Sequence, residues 1–210
     1  MGPAAFESAF VHDLDRLLQL RRDVRRFSRE PLAPSLLDEL LEAARCAPSV
    51  GYSQPWRFVL VEGEAPRAKV AASFRAANAE ALSGYAGEDA RIYAGLKLAG
   101  LDDAPVQLAV FTDEATGVGR GLGRATMPET LVYSTIAAIQ NLWLAARARG
   151  VGVGWISILD PAAVTDALDV PAGWKLTAYL CVGYPLEVSD TPELERAGWE
   201  SRRDLVVVRR

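Results

Sequence analysis

Residues 21–25 of this 210-residue chain read Arg21-Arg22-Asp23-Val24-Arg25. Alternate residues of an extended pentapeptide share a face, so Arg21, Asp23 and Arg25 point one way together. Guanidinium forks bind phosphate bidentately, which makes the cluster a candidate anion cradle. A solvated charge run with a local ion pair is the competing reading. An aspartate between arginines weakens the positive field of a phosphate site, and its presence suggests a second task such as proton handling. Pro48-Ser49-Val50-Gly51-Tyr52-Ser53-Gln54-Pro55-Trp56 is turn-dense and gathers hydroxyl, amide and aromatic groups, with Trp56 by itself reading as core. Ser157, in Gly154-Trp155-Ile156-Ser157-Ile158, is a hydroxyl where an apolar strand would carry valine or isoleucine; such a group is either bonded to backbone or chemically active. Neither glycine run, 117–123 nor 150–154, satisfies GxGxxG, and GxxxxGK[ST] does not occur, so a Rossmann or P-loop nucleotide site is not supported.

The elements that must position these groups follow from periodicity. Phe10, Leu14, Leu17 and Leu18 recur at helical spacing and lead directly into Arg21 and Arg22. Leu36, Leu37, Leu40, Leu41 and Ala44 repeat the pattern, and Pro48 ends that helix near Ala47. Strands are predicted at 57–61, 106–112, 153–159, 176–183 and 205–208. The alanine-rich, charged stretch at about 64–104 reads as short helices forming a mobile lid rather than core. Thr126 and Glu129 have capping-box spacing, with Pro128 suited to a first turn, ahead of an apolar helix over 131–149 that stops at Gly150. Residues 1–210 form one α+β domain.

A helix apolar on every side needs partners on every side, so a homodimer pairing this helix with its symmetry mate is expected. The net charge of −4 argues against a nucleic-acid partner. His12 is the only histidine, so a histidine triad or multi-histidine metal site is unavailable and no metal is expected. Cys46 and Cys181 read as buried free thiols. The most apolar stretch is interrupted by Gln140, Asn141 and Arg147, so no membrane span is expected, and the absence of a signal-like start suggests a cytoplasmic protein.

Taken in order, these segments resemble the nitroreductase-like flavoprotein superfamily, in which an R-x-S-x-R element, a P-S-x-x-N-x-Q-P-W element and a basic residue near the C-terminus bind FMN. The first matches residues 21–25, the second 48–56, and Arg202 the third. The likeness runs from about Leu17 to Leu205. It implies a mostly antiparallel sheet flanked by helices in an intertwined homodimer. Asp23 and Tyr52 depart from the serine and asparagine of common nitroreductases. With residues 123–129, 140–143 and 152–157, they resemble one branch that consumes reduced FMN (FMNH2) with O2, giving 5,6-dimethylbenzimidazole, the cobalamin lower ligand, and erythrose 4-phosphate.

That resemblance implies FMN-binding roles for Arg21, Arg22, Asp23, Val24, Arg25, Pro48, Ser49, Trp155, Ile156, Ser157 and Arg202. Asp23 and Ser157 would be catalytic, with Ser157 supplied by the other subunit. A separate NAD(P)H-dependent flavin reductase would deliver FMNH2, and Lys97 is a weaker candidate for contact with the flavin. Two alternatives accompany this expectation: an NAD(P)H-dependent nitroreductase or flavin reductase, and a flavin-binding or carrier module without catalysis.

Overall fold

The computed structural model describes residues 5–96 and 100–210, so Lys97 lies outside the described residues. Four antiparallel strands among them, β1 (Trp56–Leu60), β2 (Val106–Asp113), β3 (Gly152–Ile156) and β4 (Trp174–Gly183), form one sheet in the order β1-β2-β4-β3. The helices are α1 (Ser8–Leu20), α2 (Pro34–Arg45), α3 (Glu64–Ser83), α4 (Gly87–Gly95), α5 (Gly100–Asp103), α6 (Thr130–Ala148), α7 (Pro161–Leu168) and α8 (Glu193–Arg196).

Strand alternation explains how one sheet organises two cores. Leu108 and Val110 on β2 share a face with Leu180 and Val182 on β4, packed against Leu40 and Ala44 of α2 and Ala138 and Leu142 of α6. Ala109, Phe111, Tyr179 and Cys181 point the other way, onto Val70 of α3, Leu101 of α5 and Val164 of α7. Both faces are therefore covered, which is why the central strands read as continuous apolar runs. Trp56 is buried in the first core, as expected. No helix among the described residues is long and apolar enough to cross a membrane.

Several expectations need correction. The 64–104 stretch is not a set of short helices outside the core: α3 alone spans 20 residues, and Val70, Ala71, Leu101 and Ala104 are buried. Alanine is a strong helix former, and it let the charged faces hide a buried one. The capping box does not form. Helix α6 begins at Thr130 without a side-chain cap, and the Thr126 hydroxyl instead donates to the Gly123 carbonyl. Strand β3 ends at Ile156, so Ser157 follows the strand and is exposed. Residues 205–208 form no strand, and Leu205 is 89% exposed. Cys46 is exposed, whereas Cys181 is buried and its thiol is pushed up to about 12, mainly by that burial.

Helix α6 is buried along one stripe only, with Tyr133 and Ile136 exposed on the other. Helix α1 has no buried residue, and Phe10, Leu14 and Leu18 are exposed. Apolar surface thus stands open on α1, α6 and the C-terminal residues.

A polar bridge joins α5 to the sheet. The Gln107 amide donates to the Leu101 carbonyl at 2.8 Å and its oxygen accepts from the Tyr179 hydroxyl at 2.6 Å, all buried. Gln107→Leu leaves two groups unsatisfied and should cost about 1–3 kcal/mol in urea unfolding, part of which Tyr179→Phe restores in the double variant. An unchanged midpoint would show that the bridge contributes nothing.

Candidate functional site

Helix α1 delivers the arginine segment. It ends at Leu20, and the next residue, Arg21, adopts extended geometry, so the chain leaves the helix as a strand-like tether. Two side chains from α6 hold this exit: the Trp143 indole donates to the Arg22 carbonyl at 3.1 Å, and Arg147 Nε donates to the Leu20 carbonyl at 3.1 Å. The Arg21 guanidinium lies 4.7 Å from the Trp143 ring centre, a cation–π contact.

Beyond that exit the tether joins the free edge of β3. Asp23 bridges Val153 in parallel, and the Val24 N–H donates to the Val153 carbonyl at 3.0 Å. The Trp155 N–H then donates to Asp23 Oδ1 at 2.9 Å, so a side chain takes the next edge amide. Arg25 Nε lies 3.5 Å from Asp23 Oδ2 and 3.8 Å from Glu193, within ion-pair range.

These groups open onto a cavity of about 630 Å³ whose wall includes Arg21, Arg22, Asp23, Arg25 and Arg202, within the size range of small-molecule sites. Asp190, ahead of α8, and Glu193, its first residue, line the same cavity beside the arginines. The Arg22 guanidinium donates to the Gln19 and Arg21 carbonyls at 2.6 and 2.7 Å and also to that of Asp190. Burial, then the neighbouring Arg21, pulls its pKa down; Asp190 opposes the shift, while Arg147 and Arg202 reinforce it. The Nε atoms of Arg22 and Arg25 are buried without a hydrogen-bond partner. Crowded cations with spare buried donors fit a phosphate-bearing ligand.

Asp23 behaves differently. Its pKa is raised, first by burial, while the Trp155 amide and then Arg25 and Arg21 pull it down. Its side chain is 38% exposed, so the walls of an open pocket cause a shift that water screening limits. The direction follows from removing water on one side while only part of the positive charge faces the carboxylate.

Not every expected residue joins this cavity. Val24 packs against the second core, and the Ile156 side chain is buried there. Trp155 contributes its amide, with its ring 6.3 Å from that of Trp143. Ser157 lies two residues past the amide that holds Asp23. Pro48 and Ser49 are elsewhere: the Ser49 hydroxyl accepts from the Gln54 amide at 3.1 Å, and the Val50 amide donates to Ser134 near the start of α6. Ser134 and Trp143 are separated by roughly 13 Å of helix, and neither Pro48 nor Ser49 lines the arginine cavity. Asp190 and Glu193 escaped the sequence reading, because the fold-back after β4 places them and nothing in their type or spacing does. Among the described residues, no cluster of histidine, cysteine or carboxylates could hold a metal ion.

A helix-flanked antiparallel sheet with an arginine-walled cavity at its edge is the nitroreductase architecture, and the chain belongs to the nitroreductase family, whose pattern matches residues 18–184. It is 56% identical over 209 residues to the 5,6-dimethylbenzimidazole synthase of Rhodospirillum rubrum, covering 100% of this chain and 99% of that one. The corresponding synthase of Rhodobacter capsulatus is 50% identical over 195 residues, covering 93% of this chain and 94% of that protein. Among solved structures, oxidized iodotyrosine deiodinase bound to FMN and 3-iodo-L-tyrosine superposes with a TM-score of 0.71 at 26% identity, over 93% of this chain and 97% of that one.

A raised folded pKa means that ionising Asp23 costs the folded state. Its contribution is fully present below the unfolded carboxylate value, about 3.9, and is lost as pH rises through the higher folded value. Asp23→Asn should therefore gain stability relative to the parent as pH rises above the unfolded carboxylate value, read in urea titrations. A gap that stays constant or shrinks with pH would contradict this.

Proposed function

We propose that the chain is a 5,6-dimethylbenzimidazole synthase, which fragments reduced FMN in the presence of O2 to 5,6-dimethylbenzimidazole and erythrose 4-phosphate. One observation carries this reading: a carboxylate of raised pKa, Asp23, pinned by the Trp155 amide in the wall of an arginine pocket. Its resemblance to the two synthases supports the same conclusion.

When bound, reduced FMN supplies both the electrons that O2 accepts and the carbon skeleton of the product. Arg21, Arg22, Arg25 and Arg202 hold the phosphate and ribityl end, with the ligand's anion taking over donors that now face Asp190 and Glu193. Asp23 accepts and returns a proton beside the ribityl chain, and the upward direction of its pKa favours a carboxyl able to do both. Val24, Trp155 and Ile156 form the backing of the ring site. Ser157 acts from the same copy as Asp23, in place of the expected supply by the other subunit, because it directly follows β3, whose Trp155 amide holds the Asp23 carboxylate. Pro48 and Ser49 come from the second copy, since α6 separates them from the arginines.

A homodimer covers the open apolar surfaces of α1, α6 and residues 205–208, and the outward faces of α3 and α4 act as the lid that limits water around the ring. A separate NAD(P)H-dependent flavin reductase supplies the reduced flavin, in the cytoplasm.

With FMN, a flavin reductase and NADPH in air, FMN should disappear in proportion to benzimidazole formed, as weighed by mass spectrometry. Intact flavin recovered after reoxidation, with continued nicotinamide oxidation, would mark a nitroreductase or flavin reductase instead. Asp23→Asn should still bind FMN but lose product formation by about 100-fold or more, the scale of a missing general acid–base group. Normal product from that variant removes the role. Arg202→Ala should weaken FMN binding by roughly tenfold or more, the cost of one charge-assisted bond, read by fluorescence quenching; unchanged affinity excludes it from the phosphate site.

A further inference from the structure

The glycines of β3 are not explained by backbone conformation. Gly150 sits at φ +74° and ends α6, whereas Gly152 and Gly154 have no positive φ that would require glycine. What they share is Val24. A Cβ at Gly154 would lie 2.0 Å from the Val24 carbonyl oxygen, and one at Gly152 would lie 2.8 Å from Val24 Cγ2, both far inside van der Waals contact. Between them, the Val153 carbonyl accepts from the Val24 N–H, and immediately after them the Trp155 N–H donates to Asp23. The tether can lie close enough for the Asp23 side chain to reach that amide only because positions 152 and 154 carry no side chain.

We propose that Gly152 and Gly154 form a seat for Val24 that positions the Asp23 carboxylate for its reaction, an inference that rests on the proton-transfer reading of Asp23. The two glycines act in chemically distinguishable ways. The obstacle at 152 is the Val24 side chain, which Val24→Ala cuts back to a Cβ 3.1 Å away, leaving a few tenths of an ångström to relax; the obstacle at 154 is the Val24 backbone, which no side-chain change removes.

The test uses the ligand-free protein, following the Trp155 amide by ¹H–¹⁵N NMR across the carboxylate titration. In the parent this resonance should shift with pH, and Asp23→Asn should abolish that response. Gly154→Ala should abolish it too, with or without Val24→Ala. Gly152→Ala should abolish it alone and regain it in combination with Val24→Ala. A parental response in Gly154→Ala overturns the proposal. Should Gly154→Ala fail to fold, the Gly152 variants decide: a response unchanged by Gly152→Ala, or not restored by Val24→Ala, overturns it.

In turnover, Gly154→Ala should lose product formation by about 100-fold, the scale of ångström-level misplacement. Asp23→Asn/Gly154→Ala should be no worse than Asp23→Asn, because both act through one group; additive losses would indicate a purely structural role and overturn the proposal. Should Asp23→Asn make normal product while Gly154→Ala loses the amide response, the proton-transfer reading fails and the seat stands as structure alone.

Discussion

The tether between α1 and the body of the protein is held at the edge of β3 by a few short contacts, and the arginine pocket depends on them. Helix α1 buries none of its own residues, so it cannot anchor Arg21–Arg25 by packing. The anchoring falls to the Val24–Val153 bond, the Trp155–Asp23 bond and the clasp of Trp143 and Arg147 on the helix exit. The carboxylate therefore has two tasks at once. It completes the sheet edge, and it is the one acid of the motif, facing the cavity between arginines.

Electrostatics within the cavity is a contest rather than a uniform positive field. The arginines compete with one another, as the lowered pKa of Arg22 records, and two of them keep buried Nε donors without partners. The acidic segment at Asp190 and Glu193 offsets part of that charge. An anionic ligand resolves both strains: it satisfies the donors and relieves the cations. Asp23 lies in the same wall with a shift opposite to the one its arginine neighbours alone would produce, since withdrawal of water outweighs them.

The distribution of apolar surface accounts for the division of the site. Helix α6 buries one stripe against the sheet and α2, leaving Tyr133 and Ile136 open, and the motif beginning at Pro48 sits near its first turns while the arginines sit near its last. A rigid helix keeps the two halves apart within one chain. The proposed pairing of two copies through the open stripe would cover that surface and bring the halves together.

Much of this was legible in the residues themselves. Leucines at helical spacing located α1 and α2, branched runs located β2 and β4, and Arg21–Arg25 stood out because clustered arginines around one aspartate have few structural uses. Alternation and periodicity are local properties, so a linear reading captures them. The 64–104 stretch misled because alanine promotes helix without declaring a buried face, and residues 205–208 misled because a branched run forms a strand only if a neighbouring edge accepts it. Types and spacing thus determined the kinds of element and the candidate chemistry. The direction of the Asp23 shift, the fit of Val24 against Gly152 and Gly154, and the acidic lining at Asp190 and Glu193 were decided only by tertiary structure, because each depends on water excluded or space left by residues remote in the chain.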